Sequence, residues 1–192
     1  MHTSNPRDIL IVCGTRPEII KLAPVYHALK ASNWARPVWL HTGQHGDMAQ
    51  QMLECFHIRP DFTLERHGQS LPEFSAGCRL QLDAVMAQRA WSAVLVQGDT
   101  ESAFQGALAG FYRQVPVAHV EAGLRTPSLT RPFPEEGLRR MITRIAALHF
   151  APTARAAPSF SAAKARMPLP QPKSSTAAPR RAPSTASASS HC

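Results

Sequence analysis

The chain has few cysteines, and those it has are scattered. Cys13, Cys55, Cys78 and Cys192 show no metal-ligand spacing. That excludes a zinc module, and a chain of 192 residues with 44% hydrophobic residues needs no disulfide scaffold. Reduced, buried thiols are expected for the first three. Long apolar runs are also missing. The N-terminal run Ile9-Leu10-Ile11-Val12-Cys13 lacks the layout of a signal peptide and falls far short of a membrane span, which takes about 20 apolar residues. A cytoplasmic protein without a membrane partner is the resulting expectation. Aromatics are sparse, at 7%. No cluster of Arg, Lys and aromatic residues argues for nucleic acid.

Acidic residues are absent from one end. The formal charge is +8, from 21 Lys/Arg against 13 Asp/Glu. Residues 157–192 contribute Lys164, Arg166, Lys173, Arg180 and Arg181 and not one acid. The basic character is therefore largely a property of the C-terminal stretch, and residues 1–156 are only mildly basic. After Arg155 the composition turns abruptly to Ala, Pro, Ser and basic residues, with Phe160 as the one aromatic. No apolar period survives there, so burial cannot offset the entropy of ordering. The sequence predicts a domain over 1–156 and a disordered tail over 157–192. The tail reads either as the product of a frameshift or premature stop, with native-looking sequence ending near Thr153, or as a natural disordered segment.

What is present is an alternation of short apolar runs with amphipathic stretches. Strands are expected at Asp8–Gly14, Pro37–Thr42, Ala93–Gln97 and Val115–Val120, with a possible last one at His149–Ala151. A helix is expected over about Arg16–Ala31, with Thr15 and Glu18 at capping-box spacing and Pro17 in the first turn. The internal Pro24 should kink it. Further helices are expected at about Asp47–Phe56, from Ser70 to about Trp91, at Thr100–Tyr112, and from Pro134 to about Leu148. This pattern predicts an α/β, Rossmann-like three-layer fold with a parallel sheet. Ligands bind such sheets at the carboxyl ends of the strands. The unusual polar clusters fall there: Thr15-Arg16, Gln44-His45, Gly98-Asp99 and Glu121-Ala122-Gly123.

Each cluster has a structural and a functional reading. Gly14-Thr15-Arg16-Pro17-Glu18 is either a well-capped helix start or a phosphate-binding terminus reinforced by Arg16 and Lys21. Asp99 either caps the next helix or serves as an acid/base group. His45 is a turn residue or a ligand contact, and His119 reads as a satisfied interior histidine. Glu121, just beyond an apolar strand, is harder to assign to surface decoration. Glu135 and Glu136 complement a helix dipole after Pro134, and with Arg139 a turn later they also suit the rim of an active site.

Taken together, CGTRPEIIKLAPV, TGQH, VQGDT, VEAGLR and PFPEE, in that order and spacing, resemble the non-hydrolysing UDP-N-acetylglucosamine 2-epimerases over roughly residues 8–154. The resemblance implies the N-terminal half of a two-domain, glycosyltransferase-B-type fold. It implies interconversion of UDP-N-acetylglucosamine and UDP-N-acetylmannosamine by elimination and re-addition of UDP, with no cofactor or metal. It further implies a homodimer and a role in supplying precursors for polysaccharides of the cell envelope or capsule. By motif match, Asp99, Glu121 and Glu135 are the catalytic carboxylates, and Arg16, Lys21 and Arg139 contact the substrate. Leu138 departs from the asparagine that usually precedes the arginine. The family's second domain, which supplies most of the grip on uridine and diphosphate, has no counterpart in this sequence. The rival readings are an inactive truncated product or non-catalytic partner of an intact paralogue, and a glycosyltransferase of similar architecture.

Overall fold

The computed structural model describes residues 5–152. The expected domain boundary at 156 and the expected tail over 157–192 lie outside the described residues. Six parallel strands form one sheet in the order β3-β2-β1-β4-β5-β6. They are β1 (Arg7–Cys13), β2 (Ala35–His41), β3 (Phe62–Thr63), β4 (Ala93–Gln97), β5 (Val117–Val120) and β6 (Leu148–Phe150). The helices between them are α1 (Arg16–Ala31), α2 (Asp47–Cys55), α3 (Leu71–Met86), α4 (Glu101–Tyr112) and α5 (Glu135–Ile145).

Side chains alternate across a strand, so a sheet covered on both faces needs apolar residues at every position. The central strands meet that requirement. Leu10, Val12, Val38, Leu40, Val94 and Val96 face a core built with Phe74, Cys78 and Leu82 of α3, Ala103 and Ala107 of α4, and Ile142 of α5. Ile9, Ile11, Trp39 and Leu95 face the opposite way, toward Ile19, Leu22 and Tyr26 of α1 and Leu53 of α2. α4 lies close against the sheet because of its glycines. A Cβ on Gly106 would stand 2.9 Å from Val12, and one on Gly110 would stand 2.9 Å from Val117.

Several boundaries differ from those expected, for local reasons. α3 ends at Met86 rather than near Trp91. The Trp91 indole N–H donates to the Met86 carbonyl at 3.2 Å, and its ring is buried. A continued helix would use that carbonyl itself. β2 begins at Ala35, so Pro37 lies inside a strand. It is tolerated because β3 pairs only with Leu40 and His41, which leaves this part of β2 without a neighbour on one side. β5 starts at Val117 rather than Val115, α5 ends at Ile145, and β6 ends at Phe150. β3 was not expected at all. α1 runs unbroken through Pro24.

Candidate functional site

β1 and β4 are neighbours, and the chain leaves them toward opposite faces of the sheet, into α1 and α4. The crevice outside the carboxyl ends of such a pair is the favoured ligand position in open α/β sheets. Its walls are two turns, Gly14-Thr15 and Gly98-Asp99-Thr100. Gly98 has φ +74, a left-handed conformation that costs glycine nothing.

The second turn decides between the two readings of Asp99. The cap of α4 is Thr100, whose hydroxyl accepts from the Ala103 N–H at 3.0 Å. Asp99 is thereby left free, and Arg139 of α5 donates to it. His119 of β5 lies behind the turn, fully buried, with its Nε2 2.7 Å from the Gly98 carbonyl. A carbonyl only accepts, so this nitrogen carries the proton. Burial depresses the histidine's pKa and favours the neutral ring. His119 is interior as expected but only half satisfied: Nε2 anchors the turn bearing Asp99, while Nδ1 is buried without a partner.

Glu121 follows β5 with φ +61, a left-handed conformation uncommon for residues other than glycine. Its carboxylate accepts from Lys21 of α1 and from the Gln97 side chain at the end of β4. The pair Glu135 and Glu136 is divided by helical phase. Glu136 is fully buried and accepts from Arg139 and Arg140, each at 2.7 Å, and from the Thr126 N–H at 3.1 Å. The hydrogen bond from Arg140 leads the causes that hold its carboxyl below the ordinary glutamate range. Glu135 faces the other way, half-buried, and lines a cavity.

Two cavities meet at these residues. One, of about 200 Å³, is lined by Thr15, Glu18, Lys21, Gln97, Asp99, Thr100, Glu121 and Arg139 among others. The second, of about 280 Å³, shares Thr15, Pro17, Asp99 and Thr100 and adds Gln44, His45, Glu135 and Leu138. Beyond Gln44 and His45 the surface opens into a depression of about 710 Å³ reaching Arg66 and Gln69. The Thr15 hydroxyl and Glu135 Oε2 are buried at these walls without a partner. Unpaired polar atoms are uncommon in native interiors, and here they mark walls suited to a polar occupant. Among the described residues, no group of three or more His, Cys, Asp or Glu side chains is placed to hold a metal. No described helix is long and apolar enough to cross a membrane.

Three carboxylates and two cations drawn from the motifs noted in the sequence thus stand around one crevice. The profile of the UDP-N-acetylglucosamine 2-epimerases matches residues 27–164. The chain belongs to that family. It is 45% identical to the UDP-N-acetylglucosamine 2-epimerase of Bacillus subtilis over 150 residues, which is 77% of this chain and 40% of the relative. Among solved structures, the Neisseria meningitidis UDP-GlcNAc 2-epimerase bound to UDP-GlcNAc superposes with TM-score 0.73 at 41% identity, covering 76% of this chain and 40% of that one. S. aureus MnaA, solved with UDP, gives TM-score 0.74 at 43% identity, covering 77% and 39%. The chain thus spans about 40% of the length of the relatives it matches. The parallel six-stranded α/β sheet corresponds to the N-terminal part of glycosyltransferase-B-like epimerase structures, as the motifs implied.

Of the residues singled out from the family motifs, Asp99, Glu121, Glu135, Lys21 and Arg139 line the two cavities. Arg16 does not. It is exposed at the first position of α1 and lies outside both linings, although its neighbours Thr15 and Pro17 belong to them. Leu138, at the departure from the family pattern, is buried and presents an apolar patch beside Glu135. Sequence reading gave Glu18 a capping role only, and it passed over Gln97, Thr100 and Ser102. Glu18 Oε1 accepts the Thr100 hydroxyl. Ser102 holds Gln44 through both its N–H and its hydroxyl. These ties join residues 58 and 82 positions apart, a separation at which local pattern carries no signal.

Proposed function

We propose that this chain carries the carboxylate-bearing wall of an epimerase centre that interconverts UDP-N-acetylglucosamine and UDP-N-acetylmannosamine. The observation that carries the reading is the convergence of Asp99, Glu121 and Glu135 on two contiguous cavities at the sheet's switch point, with Lys21 and Arg139 paired to the first two. The relatives solved with UDP-GlcNAc and with UDP support the substrate class.

The chemistry explains why several carboxylates are needed. The C2–H of the sugar is too weakly acidic for simple removal and return. Elimination breaks the C1–O bond to UDP as a base takes the C2 proton, leaving 2-acetamidoglucal and UDP. Re-addition returns a proton to C2 from the opposite face and reforms the C1–O bond. An oxocarbenium-like state at C1 calls for carboxylate near the ring, as in glycoside cleavage. A base on one face and an acid on the other account for two more roles. The three carboxylates sit on three separate elements, the turns after β4 and β5 and the start of α5, and so approach a common ligand from different directions. Lys21 and Arg139 add positive charge beside the position of a departing diphosphate.

The test is transfer of deuterium from D2O to C2 of the sugar, followed by NMR with UDP-N-acetylglucosamine. Residues 1–153 would be joined to the remainder of a full-length relative. The chimera should exchange the C2 proton and interconvert the two sugars. Asp99→Asn, Glu121→Gln and Glu135→Gln should each slow both processes by about 10²–10⁴. A folded chimera whose exchange survives all three substitutions would overturn the reading.

A further inference from the structure

Glu18 is fully buried, and among the described residues it forms no ion pair. Burying a carboxylate without a cation is costly unless hydrogen bonds replace its water. Here Oε2 accepts the backbone N–H groups of Gly14 at 2.8 Å and Thr15 at 2.7 Å, and Oε1 accepts the Thr100 hydroxyl. A capping box requires only the bond to the Thr15 N–H. An exposed glutamate would supply that at far lower cost, as Glu73 does for Ser70 at the start of α3. The Gly14 bond is local, and Glu73 makes its equivalent to the Gln69 N–H. The Thr100 bond has another consequence: it joins the turn after β1 to the turn after β4, the two walls of the crevice.

Thr100 follows Asp99 directly, and its hydroxyl both donates to Glu18 and accepts from the Ala103 N–H. The path from Glu18 to the Asp99 carboxylate is therefore one residue of backbone held at both ends. We propose that Glu18 is a positioning residue, a buried carboxylate that locks the β1–α1 turn to Thr100 and so fixes Asp99 against Arg139 and the cavity. The burial that raises the Glu18 pKa is consistent with a group kept in place despite its cost to the fold. The proposal deepens the epimerase reading and rests on it for the role of Asp99, while its geometric part is testable without substrate.

The experiment uses the full 192-residue chain and NMR of four variants. Glu18→Ala removes every bond. Glu18→Gln retains an oxygen for the Gly14 and Thr15 amides and can donate from its nitrogen to the Thr100 hydroxyl. Thr100→Val breaks the link between the turns while leaving the amide bonds of Glu18, and Thr100→Ser restores it. In the ligand-free chain, Glu18→Ala and Thr100→Val should shift the Asp99 backbone amide and its side-chain carboxyl ¹³C signal. Glu18→Gln and Thr100→Ser should stay close to wild type. In the chimera with the remainder of a full-length relative, UDP-N-acetylglucosamine should bind about tenfold more weakly to the first pair, the equivalent of one lost hydrogen bond. Asp99 signals unmoved in a folded Glu18→Ala chain would overturn the proposal. If that variant does not fold, unmoved Asp99 signals in Thr100→Val would do so. Failure of the wild-type chimera to bind the sugar nucleotide would count against the epimerase reading instead, and the ligand-free shifts would still decide the role of Glu18.

Discussion

Arg139 donates to Asp99 through Nη2 and to the buried Glu136 through Nη1, so a single guanidinium joins the rim of the crevice to the interior of the fold. Its side chain is only 10% exposed. Removing it leaves Asp99 without its cation and Glu136 with Arg140 alone, and stripping a buried carboxylate of a partner is destabilising. Arg139→Met should therefore lower the melting temperature by several degrees, at about 2–4 °C for each kcal/mol in a domain of this size. Arg139→Lys keeps the charge but cannot reach both carboxylates in the same fork geometry, and should fall between. A melting temperature unchanged in Arg139→Met would refute this bridging role.

The carboxylates give stability a pH dependence whose sign follows from their shifts. Glu136 is held low, chiefly by its hydrogen bond from Arg140, and Asp8 is held low chiefly by its hydrogen bond from Arg36. A carboxyl with a depressed folded pKa contributes stability that is complete above the ordinary carboxylate range of about 3.9–4.3. That contribution is lost as pH falls through the folded values. Glu18 runs the other way. Burial raises its pKa, so its favourable contribution is present below the ordinary glutamate value and is lost as pH rises through the folded one. Urea midpoints should fall on acidification below about pH 4. Glu136→Gln should flatten that fall. Glu18→Gln should gain on wild type as pH rises, and parallel curves for the three proteins would contradict the assignment.

What was legible in the sequence was what is local. β1, α1 and β4 stand where apolar runs, Thr15, Pro17 and Gly98 placed them, since those signals act within a turn or a strand. Two-residue β3 has no period to detect and exists only through its pairing with Leu40 and His41. The end of α3 depends on the Trp91 indole reaching Met86, a contact through the core. Glu135 and Glu136 are adjacent in the chain and about 100° apart around a helix. Which one faces the cavity follows from how α5 docks on α4, and no pattern of charges reveals that. The Glu18–Thr100 tie joins two turns that only the sheet order brings together.

One face of the sheet carries an apolar groove of about 590 Å³, lined by Val25 and Leu29 of α1 with Leu95, Ala118, Val120, Leu148 and Phe150 of the strands. Trp34, Leu148 and Phe150 are each more than half exposed along it. Contiguous exposed apolar surface of this kind favours association. The purified chain should self-associate with rising concentration in sedimentation velocity, and Phe150→Ser should reduce this without lowering the melting temperature by more than about 2 °C, as is usual for exposed positions. Equal association by the variant would place the sticky surface elsewhere.

Two glycines near the site should respond oppositely to alanine. Gly14 follows β1 directly, and its Cα stands against the neighbouring turn. A Cβ there would stand 1.9 Å from the Thr42 hydroxyl and 2.3 Å from that of Ser102. Those two hydroxyls are bonded to each other at 2.6 Å, and Ser102 also holds Gln44. Neither can withdraw without breaking a buried hydrogen bond and displacing the wall of the crevice. Gly14→Ala should therefore destabilise by about 2–3 kcal/mol, the range for overpacking with loss of a buried hydrogen bond. It should also shift the Gln44 side-chain amide in NMR spectra. Gly137 lies in the first turn of α5, and a Cβ there meets nothing within 4 Å. Alanine restricts the unfolded chain and suits a helix better than glycine, so Gly137→Ala should stabilise by roughly 0.5–1 kcal/mol. Chemical denaturation of both variants measures the pair. A Gly14→Ala chain as stable as wild type would mean that the β1–α1 turn is not packed against Thr42 and Ser102 as described. A Gly137→Ala chain less stable than wild type would mean that the start of α5 needs glycine for a reason other than space.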